Sequence, residues 1–181
     1  MILSDSELVE MLREPRTRRE GFAVLVKQYS EKLYWKVRRI VLSHEDANDV
    51  LQNVFIKVWS NLQNFQGKSS LSTWLYRIAT NESLDFLRKQ KLADKVSADE
   101  DVSVASRLMS DEYFDGDEVQ ARLQEAVARL PEVQRTVFNL KYFEEMKYSE
   151  ISQILNTSEG ALKASYHLAV KKITEYLHLF D

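Results

Sequence analysis

Residues 147–172 constrain this chain more than any other stretch, because they encode two short helices separated by a tight corner. In the first helix Ile151, Ile154 and Leu155 recur at the three-and-four spacing of a buried stripe. At about two turns it needs a packing partner to be stable. Asn156 suits the left-handed conformation that ends a helix, Thr157 or Ser158 can cap the next one, and Glu159 favours its positive end. About three residues remain for the corner, the length used in a helix-turn-helix. In the second helix Leu162, Tyr166, Ala169, Ile173 and Leu177 share a face. The opposite face carries Lys163, His167, Lys171 and Lys172, and no acid occurs from Gly160 to Lys172. Such a helix can bury one side and lay the other in a DNA major groove, with its N-terminus on phosphate. An ordinary helical hairpin with a solvated basic face fits the same residues.

Four glycines and two prolines in 181 residues give little punctuation for strands and turns, so an all-α fold is expected. With 44% apolar residues the chain can bury real cores, in one medium domain or two small ones. It has no cysteine, which excludes disulfides and thiolate metal sites and suits a reducing cytosol. The first residues lack the basic start and apolar run of a signal peptide, and no apolar run reaches membrane-spanning length. A cytoplasmic protein without membrane insertion is expected.

The net charge of −3 is unevenly distributed. Residues 93–119 hold nine acids against two bases, a net of −7, while the residues before them total +4 and those after them zero. This acidic, Ser- and Asp-rich segment reads as a flexible linker between two small helical domains, 1–92 and 120–181. Leu108, Met109, Tyr113 and Phe114 within it are candidates to dock on a domain or a partner.

In the first domain a short amphipathic helix ends near Pro15, and a long one follows from Glu20 to about Leu42 with Phe22, Leu25, Val26, Tyr29, Leu33, Val37 and Ile40 at core spacing. Lys27, Lys32, Lys36, Arg38 and Arg39 read as its solvated face. Ser43 begins a third helix, which buries Val50, Leu51, Val54, Val58 and Leu62 and shows Asp46, Asp49, Gln52, Asn53 and Lys57 outside. A helix start made acidic for its dipole explains Glu45 and Asp46 but not Asp49 and Gln52 a turn further in. Residues 64–70 form a polar loop whose aromatic, Phe65, either tucks into the core or stacks on something outside. The next helix, about Leu71 to Leu92, puts Trp74 and Ile78 inward and leaves Arg77, Asn81, Arg88, Lys89 and Lys91 available. In the second domain Pro131 is a helix start signal.

Two motif sets in this order resemble the extracytoplasmic-function sigma factors, the small two-domain sigma-70-type initiation factors of bacterial RNA polymerase. The first runs from Asp46 through Trp59 and on to Phe65-Gln66-Gly67 and Thr73-Trp74-Leu75-Tyr76-Arg77-Ile78-Ala79. The second comprises Leu130-Pro131-Glu132-Val133-Gln134-Arg135, Tyr148-Ser149-Glu150-Ile151 and Ser158-Glu159-Gly160-Ala161-Leu162-Lys163. Together they span roughly Glu20 to Leu92 and Leu123 to Leu177.

The resemblance implies a sigma region 2-like domain that grips core RNA polymerase through Asp46, Asp49, Gln52, Asn53, Phe55 and Trp59. The family usually has an acid where Asn53 stands. The same domain is implied to melt and read the minus-ten element, with a flipped base received near Asn64, Phe65, Lys68, Ser69 and Ser70 and with Lys57, Arg77 and Asn81 as wall and floor. The region 4-like domain is implied to read the minus-thirty-five element through Ser158, Glu159, Gly160, Lys163, Ser165, His167 and Lys171. Family members often have Arg where Ser165 and Leu168 stand, so readout here shifts toward Lys163, His167 and shape. The acidic linker is implied to thread basic channels of the polymerase. The implied partners are core RNA polymerase, promoter DNA and an anti-sigma factor; no cofactor and no catalytic activity are implied.

Two other readings use the same residues. A helix-turn-helix regulator whose first domain senses or dimerises would not start transcription without another sigma factor. An all-helical metal-dependent phosphohydrolase could share a metal between Glu45 and Asp49, with Asp46 nearby, but the chain lacks the second acidic pair on a facing helix that such a site needs.

Overall fold

A computed structural model describes residues 2–93 and 116–180, with side chains at 2–90 and 116–179. The chain divides into two units between Asp94 and Lys95. Among the described residues all regular structure is helical. Most of the expected linker, residues 94–115 with its four large apolar side chains, lies outside the described residues. Its last residues open a helix, with the Asp117 carboxylate accepting from the Gln120 N–H at 2.8 Å.

In the N-terminal unit the helices are α1 (Asp5–Arg13), α2 (Arg18–Val41), α3 (His44–Asn61) and α4 (Leu71–Ala93), with a 3-10 turn at Leu62–Asn64. Three of them, α1, α3 and α4, begin where a side chain satisfies an orphan N–H group of the first turn. Ser4 and Glu7 form a reciprocal capping box at α1, and Ser43 accepts from the Asp46 N–H at 3.3 Å at α3. Ser70 accepts from the Thr73 N–H at 3.1 Å at α4. Leu42 ends α2 in the left-handed region, φ 69°, its N–H donating to the Arg38 carbonyl.

The long helix α2 is the spine, packed against α1, α3 and α4. Its stripe of Leu25, Tyr29, Leu33, Val37 and Ile40 meets Leu8 and Leu12 of α1, Val50, Val54 and Val58 of α3, and Leu71, Leu75 and Ala79 of α4 in one core. The expectation of a wholly solvated charged face on α2 is corrected here: Lys36 and Arg38 are only 3% and 5% exposed. The Lys36 ammonium sits 3.6 Å from the Tyr76 ring centroid, so an aromatic face on α4 takes the place of water for this cation.

The C-terminal unit contains α5 (Glu118–Ala128), α6 (Glu132–Phe138), a π turn at Asn139–Phe143, α7 (Tyr148–Leu155), α8 (Glu159–Leu177) and a terminal 3-10 turn. Two clusters hold it together. Ala126, Val127, Leu130 and Phe138 pack with Ala169 and Ile173, and Val137, Leu140 and Met146 pack with Ile151 and Leu162. The corner between α7 and α8 forms as its residues dictate, with Asn156 left-handed at φ 50° and ψ 48° and Ser158 accepting from the Ala161 N–H at 3.3 Å. The Glu150 carboxylate accepts from the Lys147 N–H at 2.8 Å and closes the first turn of α7.

All three tryptophans, at 35, 59 and 74, lie in the N-terminal unit, so their fluorescence follows that unit alone. Leu33→Ala, at a fully buried position of the spine, is expected to lower the stability read by tryptophan fluorescence in urea by about 2–5 kcal/mol.

Candidate protein and nucleic-acid interfaces

The apolar stripe of α3 fixes what its other side presents. Ala47, Val50, Val54 and Val58 are buried, and at about 100° per residue the opposite side carries Asp49, Gln52, Asn53, Ile56 and Trp59, all exposed. Asp46 is half-buried at the flank, in the first turn. Phe55 turns inward, edge-on to Phe22 at 6.4 Å between ring centroids, while Trp59 leans on the same ring at 4.9 Å and keeps 41% of its surface exposed. Asp49, Gln52, Asn53 and Trp59 are therefore brought together, and Phe55 supports them from behind. Ile56, 62% exposed at the centre of this face, is absent from the residues expected from sequence. The signal for it was present: an isoleucine that falls off the buried stripe of its own helix.

The loop and α4 build a second feature. The Phe65 ring packs on Trp74 with centroids 5.1 Å apart and joins the margin of the core, which settles its two sequence readings in favour of tucking in. Gly67 takes φ +70°, the turn that carries the loop back. Beside Trp74 lies an open cleft of about 530 Å³ whose lining includes Lys57, Asn61, Asn64, Asn81, Glu82 and Arg88. Lys57 is ion-paired with Glu82, and Arg88 with Asp85 at 2.7 Å. These two pairs leave the cleft balanced in charge and rich in amides beside an indole. Of the expected residues, Lys57, Asn64 and Asn81 line the cleft. Lys68 and Ser70 are exposed in the loop and Ser69 half-exposed, while Arg77 is half-buried on α4 and outside the lining. Ser70 is occupied as the helix cap. Trp74, Glu82 and Asp85 are lining residues that the inward reading of α4 did not pick out.

The third feature is the outward side of α8. Lys163, His167 and Lys171 follow one another at i,i+4 and are exposed; Ser165 is half-buried, four residues before the buried Ala169. Lys163 and Lys141 both approach the Tyr148 ring, at 5.6 and 5.1 Å from its centroid, and Lys171 stands 3.9 Å from Glu175. Ser158, Glu159 and Gly160 are exposed at the start of the helix, and a Cβ added at Gly160 would meet nothing within 4 Å. The backbone N–H groups there are open to an approaching anion. Tyr166 packs on the inner side, its ring 5.8 Å from Phe138, and burial pushes its hydroxyl pKa up, with Tyr148 and Tyr142 adding to the shift. Burial also lowers the pKa of Arg135, which Glu132 partly offsets, and its guanidinium donates to the Ala128 carbonyl at 3.1 Å, so this cation braces α5 against α6.

Among the described residues no three His, Asp or Glu side chains gather as a metal-binding group, and no helix is long and apolar enough to cross a membrane. In the metal-site reading Glu45, Asp46 and Asp49 all lie on α3, and among the described residues they are not part of any such group.

A spine-packed helical unit followed by a helix-turn-helix unit defines the two-module architecture of sigma-70-type proteins. Residues 25–93 match Sigma-70 region 2, and residues 120–173 match Sigma-70, region 4. The ECF RNA polymerase sigma factor SigW of Bacillus subtilis is 34% identical, over 82% of this chain and 84% of its own. The RNA polymerase sigma-H factor of Pseudomonas aeruginosa is 30% identical, over 96% and 93%. In fold, the chain is similar to the sigma factor RpoE solved in complex with the anti-sigma factor NepR from Bartonella quintana, with a TM-score of 0.72 at 20% identity over 88% of this chain and 98% of that one. It is also similar to CnrH in complex with the cytosolic domain of CnrY, at 0.66 and 20% over 98% and 96%. The chain belongs to the extracytoplasmic-function group of sigma-70-type RNA polymerase sigma factors, proteins that direct promoter-specific transcription initiation.

Because nothing crowds Gly160 and its backbone is helical, Gly160→Ala is expected to raise the stability of the C-terminal unit by about 0.4–1 kcal/mol in thermal unfolding followed by circular dichroism. A loss of stability would mean that the start of α8 is held by contacts other than its cap.

Proposed function

We propose that this sigma factor binds core RNA polymerase through the outward face of α3, receives a flipped minus-ten base at the cleft beside Trp74, and reads the minus-thirty-five element with α8. The chain acts in the cytoplasm by binding, and the chemistry of RNA synthesis belongs to the polymerase. The observation that carries this reading is the α3 face, where Asp49, Gln52 and Asn53 surround an exposed apolar centre of Ile56 and Trp59. A desolvated apolar centre ringed by acceptors suits a basic helical partner, and such centres carry most of the binding energy of an interface.

The cleft supports the second role. Its cations are already paired, so it is poorly suited to phosphate, whereas the Asn64 and Asn81 amides can meet the edge of a base and Trp74 offers a ring to stack on. At α8, the open N–H groups at Gly160 and the Lys163–His167–Lys171 row favour phosphate, and Glu159 is the type of acceptor that a cytosine amino group requires. In the free chain the α3 face leaves apolar surface in water. We assign an anti-sigma factor as a further partner that covers such surface, in keeping with the complexes in which the similar structures were solved.

Core polymerase supplemented with this chain is expected to start transcription at specific promoters. Asp49→Arg should weaken its affinity for core polymerase at least about tenfold while leaving the circular dichroism spectrum unchanged, since the side chain is exposed. Unaltered affinity would place the polymerase elsewhere on the unit. Lys163→Ala should reduce the slope of log affinity against log salt for upstream promoter DNA by about 1. A slope that stays the same would remove that side chain from phosphate.

A further inference from the structure

The outward side of α8 carries two adjoining strips. Lys163, His167 and Lys171 form the basic one. Beside it Ala161, Ala164 and Leu168 recur at i, i+3 and i+7, all exposed, with Leu168 at 46%. From Ala161 to Leu168 the helix rises about 10 Å, roughly three base steps of about 3.4 Å. Between Ser158 and Lys172 there is no Arg, Asn or Gln, so of the side chains that grip guanine or adenine edges with two hydrogen bonds only lysine is present, and Lys163 and Lys171 lie in the basic strip rather than the apolar one. Both lysines of the basic strip also have neighbours, Lys163 over Tyr148 and Lys171 near Glu175.

An exposed leucine flanked by alanines on a groove-reading helix has a single complement among base edges, the 5-methyl group of thymine. Guanine, cytosine or adenine at the same position would have polar groups desolvated against hydrocarbon with no partner, which selects against them. We propose that Ala161, Ala164 and Leu168 determine specificity, making the upstream element one that presents adjacent thymines to this strip, read by methyl contact. The inference rests on α8 being the groove-reading helix; it assigns the base class which that helix selects and the residues that select it.

The test uses holoenzyme reconstituted from the full chain and core polymerase, with promoter duplexes randomised across the upstream element. The bound pool is expected to hold two or more adjacent thymines on one strand. Replacing those thymines with deoxyuridine removes only the methyl groups, and should weaken binding about fourfold per methyl lost from contact. Leu168→Ala, at an exposed position that the fold does not need, shortens the strip without removing its two alanines, and should narrow the ratio of thymine to deoxyuridine affinity relative to the unaltered chain. Equal binding of the two duplexes by the unaltered chain, or a pool with guanine fixed where thymine is expected, would overturn the proposal while leaving α8 as the reader. A pool with no preference at all, together with an unchanged salt slope in Lys163→Ala, would overturn the reading of α8 itself.

Discussion

The described helices, short and long alike, draw most of their stability from burying one stripe against their neighbours. That requirement settles what is left over. Because α3 commits Ala47, Val50, Val54 and Val58 to α2 and α4, Asp49, Gln52, Asn53, Ile56 and Trp59 face outward together. Because α8 commits Leu162, Ala169 and Ile173 to α5, α6 and α7, its basic and apolar strips are presented to whatever docks there. The faces we assign to partners are thus the complements of the core, and a change that disturbed a stripe would rotate the opposite face with it.

Charge follows a similar division of labour. The overall balance of −3 conceals a basic first domain, a strongly acidic middle and a last domain whose outward helix is free of acid for thirteen residues. A protein that must approach nucleic acid gains from local rather than total charge, since at physiological salt fields decay over about 8 Å. The cleft beside Trp74 departs from that pattern: Lys57 with Glu82 and Arg88 with Asp85 offset one another, so shape, amides and an aromatic face are what it offers.

Much of this was legible in the residue order, and the exceptions share a cause. The caps at Ser43 and Ser158, the left-handed Asn156 and the buried stripes of α2, α3 and α8 depend on neighbours within about four positions, which periodicity and capping preferences report directly. The burial of Lys36 depends on Tyr76, forty positions away on another helix, and no local pattern marks it. The π turn at Asn139–Phe143 was equally invisible, because Phe138 and Tyr142, stacked at 5.0 Å, stand four positions apart as in an ordinary α-helix, and that spacing does not mark a widened turn. In the candidate sites, Phe65 stood between two readings until Trp74 was placed against it, and the lining of the cleft could not be gathered from residues spread over three elements. Ile56 and Leu168 show the reverse: their identities were plain, but an apolar side chain becomes a sign of a partner only once it is known to lie uncovered.

Leu42 joins α2 to α3 in a backbone region that leucine rarely occupies, at φ 69°. Glycine would enter that region without strain, but it would also enter many others. A side chain with a Cβ narrows the choices at the junction, so the bearing of α3 relative to its spine is restricted at a single residue, and the face we assign to the polymerase is carried on a stiffened elbow.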